Sequence, residues 1–106
     1  MSQQDYFITK VQEAPENKLF RFSLSKILFD QEQYDEAIPH LEKCIQLQDD
    51  WMLAYILLGK SLIHCNQANK ANKVKGILEK ALKLAIEQNH DDPKSEILGL
   101  LDHFKD

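Results

Sequence analysis

The chain has 106 residues, 43% of them hydrophobic and 28% charged, with a formal net charge of −4. One domain of this length buries roughly 65% of the surface its unfolded chain would expose. The acidic balance speaks against a nucleic-acid-binding domain, whose footprint is basic, and offers no attraction to an anionic membrane surface.

The first residues, MSQQDYFITK, lack the basic leader and apolar segment of a signal peptide. No apolar run approaches the ~18 residues of a spanning helix, so a cytoplasmic location is expected. From Asp5 to Glu13, Phe7 and Val11 share one face of a short helix, and Pro15 stops it. Asn17 is a suitable cap for a second helix, in which Leu19, Phe20, Phe22, Leu24, Ile27, Leu28 and Phe29 are apolar around most of the circumference. Such a helix is covered on more than one side or lines a binding surface. Asp30 to Gln33 is a polar turn. Tyr34, Ala37, Ile38, Leu41, Ile45 and Leu47 then carry the helical period of a third helix. Pro39 fits there only near the first turn, so a late or distorted start is expected.

Gln48-Asp49-Asp50 forms the next junction, with Asp50 as the expected N-cap of a helix over residues 51–63. Asn66 to Asn69 interrupts, and a fifth helix carries Val74, Ile77, Leu78, Ala81, Leu82 and Ala85. Gly76 within it costs about 1 kcal/mol relative to alanine, which predicts a close neighbour there or a frayed start. Asp92 followed by Pro93 signals the start of a last helix, with Ile97, Leu98, Leu100, Leu101 and Phe104 on its apolar side. The two cysteines, Cys44 and Cys65, lie beside apolar runs and read as small buried hydrophobes rather than as a disulfide framework.

A repeat runs through these elements. Leu24-Ser25-Lys26 returns as Leu58-Gly59-Lys60, Leu28 as Leu62, Phe22 as Ile56 and Phe29 as Ile63, each 34 residues later. One helix pair cannot bury its apolar face alone, whereas stacked pairs bury it jointly. Ser25 and Gly59 are small residues suited to a close crossing, against Ala37 and Val74. The pattern resembles the tetratricopeptide repeat, W-x2-L-G-x2-Y…A-x3-F…P. Arg21, Leu24, Ser25, Leu28, Ala37, Leu41 and Asp49 take its positions in the first unit, with departures at Arg21, Ser25 and Asp49. Tyr55, Leu58, Gly59 and Leu62 open the second. There Val74, Leu78, Ala81 and Leu82 answer Ala37, Leu41, Cys44 and Ile45 at a longer offset, which implies three extra residues around Asn66–Lys73.

The resemblance implies an all-α fold of antiparallel helix-turn-helix repeats stacked as a right-handed solenoid of about six helices. Residues 5–15 would be an N-terminal half-repeat, 18–51 and 52–88 the two repeats, and 92–105 a C-terminal capping helix. Leu98-Gly99 reads as the start of a degenerate third unit. The resemblance also implies that the first helix of each repeat lines a concave groove for a partner peptide or helix. By register that groove would comprise Leu19, Phe22, Lys26, Phe29 and Asp30, then Leu53, Ile56, Lys60, Ile63 and His64. An apolar floor with two equivalent lysines suits a segment bearing an acidic group near Lys26 and Lys60. The alternative is a self-assembling subunit, such as a homodimer, whose groove is filled by its own C-terminal helix or by a second copy. The lysine and asparagine clamp by which some family members hold acidic chaperone tails is not matched, since Phe22, Lys26 and Leu57 stand at its positions.

Lys70, Lys73, Lys80 and Lys83 could form a basic stripe, read as a solvated face partly neutralised by Glu36 and Glu42. His40, His64, His90 and His103 lack the spacing of a helical metal site. No nucleophile arrangement or phosphate-cradling loop is visible. An enzyme is therefore not expected, nor a cofactor, nor a nucleic-acid or membrane partner.

Overall fold

The computed structural model describes residues 2–65 and 71–102. These form α1 (Gln3–Glu13), α2 (Lys18–Asp30), α3 (Tyr34–Leu47), α4 (Met52–His64), α5 (Ala71–Glu87) and α6 (Asp91–Asp102). No strand occurs among the described residues. Each helix packs chiefly on its neighbours in the chain, and α2 also touches α4. The fold is therefore the all-α helical-repeat architecture read from the sequence. Its extents, 44 × 31 × 20 Å, are those of stacked layers rather than of a sphere.

Local chemistry accounts for most boundaries. The Ser2 hydroxyl accepts from the Asp5 N–H at 3.1 Å, and the Asn17 side chain accepts from the Phe20 N–H at 3.0 Å, so both first helices are capped by their preceding polar residue. Helix α2 ends with Glu32 at φ 62°. The Gln33 N–H then donates to Leu28 O and the Glu32 N–H to Phe29 O. Helix α5 ends in the same way, with Asn89 at φ 58° and the His90 N–H donating to Ala85 O. Both are left-handed C-terminal caps that satisfy otherwise orphaned carbonyls.

Several starts differ from the sequence expectation. Asp50 does not cap α4. Trp51 takes the cap position without a side-chain bond, and its carbonyl accepts from Ala54 and Tyr55. Helix α6 begins at Asp91, because the Lys94 N–H already donates to His90 O. Pro93 still lies in the first turn, where its missing donor costs nothing. Pro39 sits well inside α3, which begins at Tyr34 without delay. It is exposed, and α3 tolerates the lost hydrogen bond because its other face is fully buried.

The core is a continuous seam of Leu24, Leu28, Ala37, Leu41, Leu58, Leu62, Val74, Leu78 and Ala81, all essentially inaccessible. Ala37, Leu41 and Cys44 in α3 and Val74, Leu78 and Ala81 in α5 are buried alike, whereas Lys75 is exposed. The longer offset of the second unit therefore places apolar residues inward. The extra residues invoked around Asn66–Lys73 fall mostly on 66–70, outside the described residues, as do His103 and Phe104. Gly59 lies against Leu78 rather than Val74. A Cβ there would be 2.6 Å from Leu78 Cδ2. Gly76 has no close neighbour within 4 Å and is exposed, so the close-neighbour alternative does not hold. In α6 the fully buried residue is Ile97, while Leu98 is 48% exposed, so the register of α6 is set by Ile97 and not by Leu98-Gly99. Cys44 and Cys65 are both buried, and neither forms a disulfide among the described residues.

Candidate binding groove

Helices α2 and α4 lie side by side, so residues on their common outer face line one depression. Five of the sequence-derived groove residues, Phe22, Lys26, Leu53, Ile56 and Lys60, surround a cavity of about 220 Å³. Leu57, Pro93 and Glu96 complete its lining. Ile56 is only 5% exposed and forms the floor, while Leu53 is 53% exposed and forms a rim. A second cavity, of about 460 Å³, shares Leu53 and Pro93 and runs past Trp51 to His90. Trp51 stacks on Phe22 with ring centroids 4.7 Å apart, and thereby joins the two cavities through one aromatic wall.

The other expected groove residues do not join this lining. Leu19 is 63% exposed and lines neither cavity. Phe29 packs edge-on against Tyr34, and His64 stacks on the same ring at 5.0 Å. His64 thus borders a separate depression of about 190 Å³ with Glu32, Asp35 and Glu36. Ile63 is half-buried against the core and Asp30 is exposed. The residues placed on one face by register thus border two depressions, with Phe29 and His64 packed on Tyr34.

The two lysines differ. Lys26 is exposed and carries no ion pair among the described residues. Lys60 Nζ lies 3.1 Å from Glu96 Oε2. On the outer face, Lys73 pairs with Glu42 at 2.7 Å and Lys83 with Glu87 at 4.0 Å. The basic stripe is in those places a neutralised, solvated face, and Glu36 takes no part in it among the described residues. Lys70 is outside them.

Behind the groove, Arg21 occupies the place of the aromatic residue in the repeat pattern. Its Nε donates to Pro15 O at 2.7 Å, and its Nη1 lies 3.2 Å from His40 Nδ1. Burial and then the Arg21 charge hold His40 below the usual histidine range. Burial pushes the Cys44 thiol up to about 11. Tyr55, the aromatic of the second unit, is raised by burial and then by Asp49 and Asp50. None of these groups lines the 220 Å³ cavity. Among the described residues, no cluster of His, Cys, Asp or Glu could hold a metal ion. Within them, no helix is long and apolar enough to cross a membrane.

The sequence reading missed Trp51, Leu57, Pro93 and Glu96. Leu57 had a signal, since it follows Ile56 on an apolar helix. Pro93 and Glu96 had none, because they reach the cavity from α6, whose placement is tertiary.

No curated protein sequence matches the chain significantly. Residues 20–50 match the tetratricopeptide repeat family. The fold resembles the solution structure of protein BPP2914 from Bordetella parapertussis, with a TM-score of 0.78 and 22% identity over 98% of this chain and 88% of that one. Tetratricopeptide repeats generally mediate protein–protein interaction. Residues 20–50 thus match one tetratricopeptide repeat, and the other described helices pack with it in a helical array of the same kind.

Proposed function

We propose that the chain is a protein-binding module, not an enzyme, that takes a partner peptide or helix in the groove between α2 and α4. The observation that carries this reading is the cavity itself. An apolar floor and rim from Phe22, Leu53, Ile56 and Leu57 stand open beside an unpaired cation, Lys26. Exposed apolar surface rimmed by polar groups marks interaction sites, and the concave faces of helical repeats serve this purpose. The repeats are taken as 18–51 and 52–88, with 5–15 and 92–105 flanking them, and the module as cytoplasmic. Helix α6 packs on α5 and contributes Pro93 and Glu96 to the cavity lining.

The test is selection of a displayed random-peptide library on the purified chain, with Leu53→Asp as control. Leu53 is exposed, so this change leaves the core intact. Peptides enriched on the wild type and lost on the control are expected, and their binding should perturb the fluorescence of Trp51, the only tryptophan. Equal enrichment on both proteins would overturn the groove reading. Sedimentation of the same samples addresses the self-assembling alternative. A dimer dissolved by Leu53→Asp would put a second copy in the groove instead.

A further inference from the structure

Lys26 and Lys60 are equivalent in sequence but not in surroundings. Lys26 is exposed and unpaired among the described residues, whereas Lys60, on α4, is held by Glu96 from α6, two helices further along the chain. The cause lies in what each following helix presents. Leu57 and Glu96 occupy matching places. Each directly precedes a fully buried residue of its helix, Leu58 in α4 and Ile97 in α6, and each lines the same cavity. The wall that α4 offers beside Lys26 is therefore a leucine, and the wall that α6 offers beside Lys60 is a carboxylate.

We propose that Glu96 occupies, from within the chain, the place a ligand carboxylate would take at Lys60, so that the groove selects a partner peptide with one acidic side chain, set at Lys26, next to apolar residues. This rests on the groove reading above. A second acidic residue on the peptide would meet Lys60 and Glu96 together, and repulsion by Glu96 cancels the attraction of Lys60. Discrimination then comes from a like charge built into the site as well as from the attractive cation. Glu96 acts here as a specificity-determining residue. Its ion pair is exposed and adds little to stability, so Glu96→Gln leaves the fold standing and alters only the charge of the wall.

The experiment repeats the library selection on wild type and Glu96→Gln, then titrates enriched peptides through Trp51 fluorescence. Wild type is expected to enrich apolar peptides with a single acidic residue, and neutralising that residue should weaken binding about two- to fivefold. Adding a second glutamate to such a peptide should leave wild-type affinity unchanged. The same addition should tighten binding to Glu96→Gln by about two- to fivefold, and not to Glu96→Gln combined with Lys60→Gln. A second glutamate that tightens binding to wild type and Glu96→Gln equally, or to neither, overturns the role of Glu96 while the groove stands. Enrichment that ignores Leu53→Asp removes the groove, and this inference with it.

Discussion

Arg21 stands where the repeat pattern has an aromatic residue, and its guanidinium makes polar bonds in place of ring packing. It ties the carbonyl of Pro15, in the turn after α1, to the imidazole of His40 on α3. A guanidinium only donates, so the His40 Nδ1 facing it must accept, which requires a neutral ring. Lys43 and Glu16, 3.2 Å apart, join the same two segments through an exposed ion pair. A histidine held below its ordinary value of 6.5 resists protonation in the folded chain while the unfolded chain accepts the proton. Its contribution is full above that value and is lost as pH falls towards the folded value. The melting temperature is therefore expected to drop between about pH 7 and pH 5 by more in the wild type than in His40→Gln, whose amide can still accept from Arg21. Thermal melts across that range decide it. Equal pH slopes would leave His40 without a role in acid sensitivity.

Helix crossings turn on single small residues. Gly59 lets α4 approach α5 until Leu78 fills the space where a Cβ would be, and Leu78 is itself fully buried. Ser25 at the matching place in α2 turns its hydroxyl back onto Arg21 O at 2.8 Å, as Ser61 does onto Leu57 O at 2.9 Å. Both serines are thereby buried without an unsatisfied group. Gly76 meets nothing, so its only effect on α5 is the entropy of a glycine. The two glycines predict opposite outcomes. Gly59→Ala should destabilise by about 1–3 kcal/mol through overpacking, and Gly76→Ala should stabilise by about 1 kcal/mol. Denaturant midpoints measure both, and shifts of the same sign would refute the distinction.

At the scale of the molecule, stability follows the stacking order. Helices α3 and α4 are covered on both sides by neighbouring helices, whereas α1 rests on α2 and α6 on α5. Val11, still 8% exposed, is the only buried residue of α1, and Ile97 that of α6. In a stacked array each unit gains from its nearest neighbours alone, so the ends open before the middle. Amide hydrogen exchange is expected to protect α3 and α4 most and α1 and α6 least. Uniform protection would mean that the array unfolds as one cooperative block. Opening of α6 would also release Glu96 from Lys60, so the end of the array and the charge of the groove are linked.

Much of this molecule was determined by the order of its residues. Apolar spacing set the helices, Asn17 set the start of α2, and the recurrence of Leu24, Lys26 and Leu28 at Leu58, Lys60 and Leu62 set the stacked pairs. Phe22, Lys26, Leu53, Ile56 and Lys60 could be placed on one face because helical period and repeat register are local properties of the chain. The tertiary structure alone decided the rest. Phe29 and His64 pack on Tyr34, Trp51 joins that face by stacking on Phe22, and α6 brings Pro93 and Glu96 to its wall. These outcomes depend on how side chains from different helices meet across the array, and no spacing within one helix encodes that meeting.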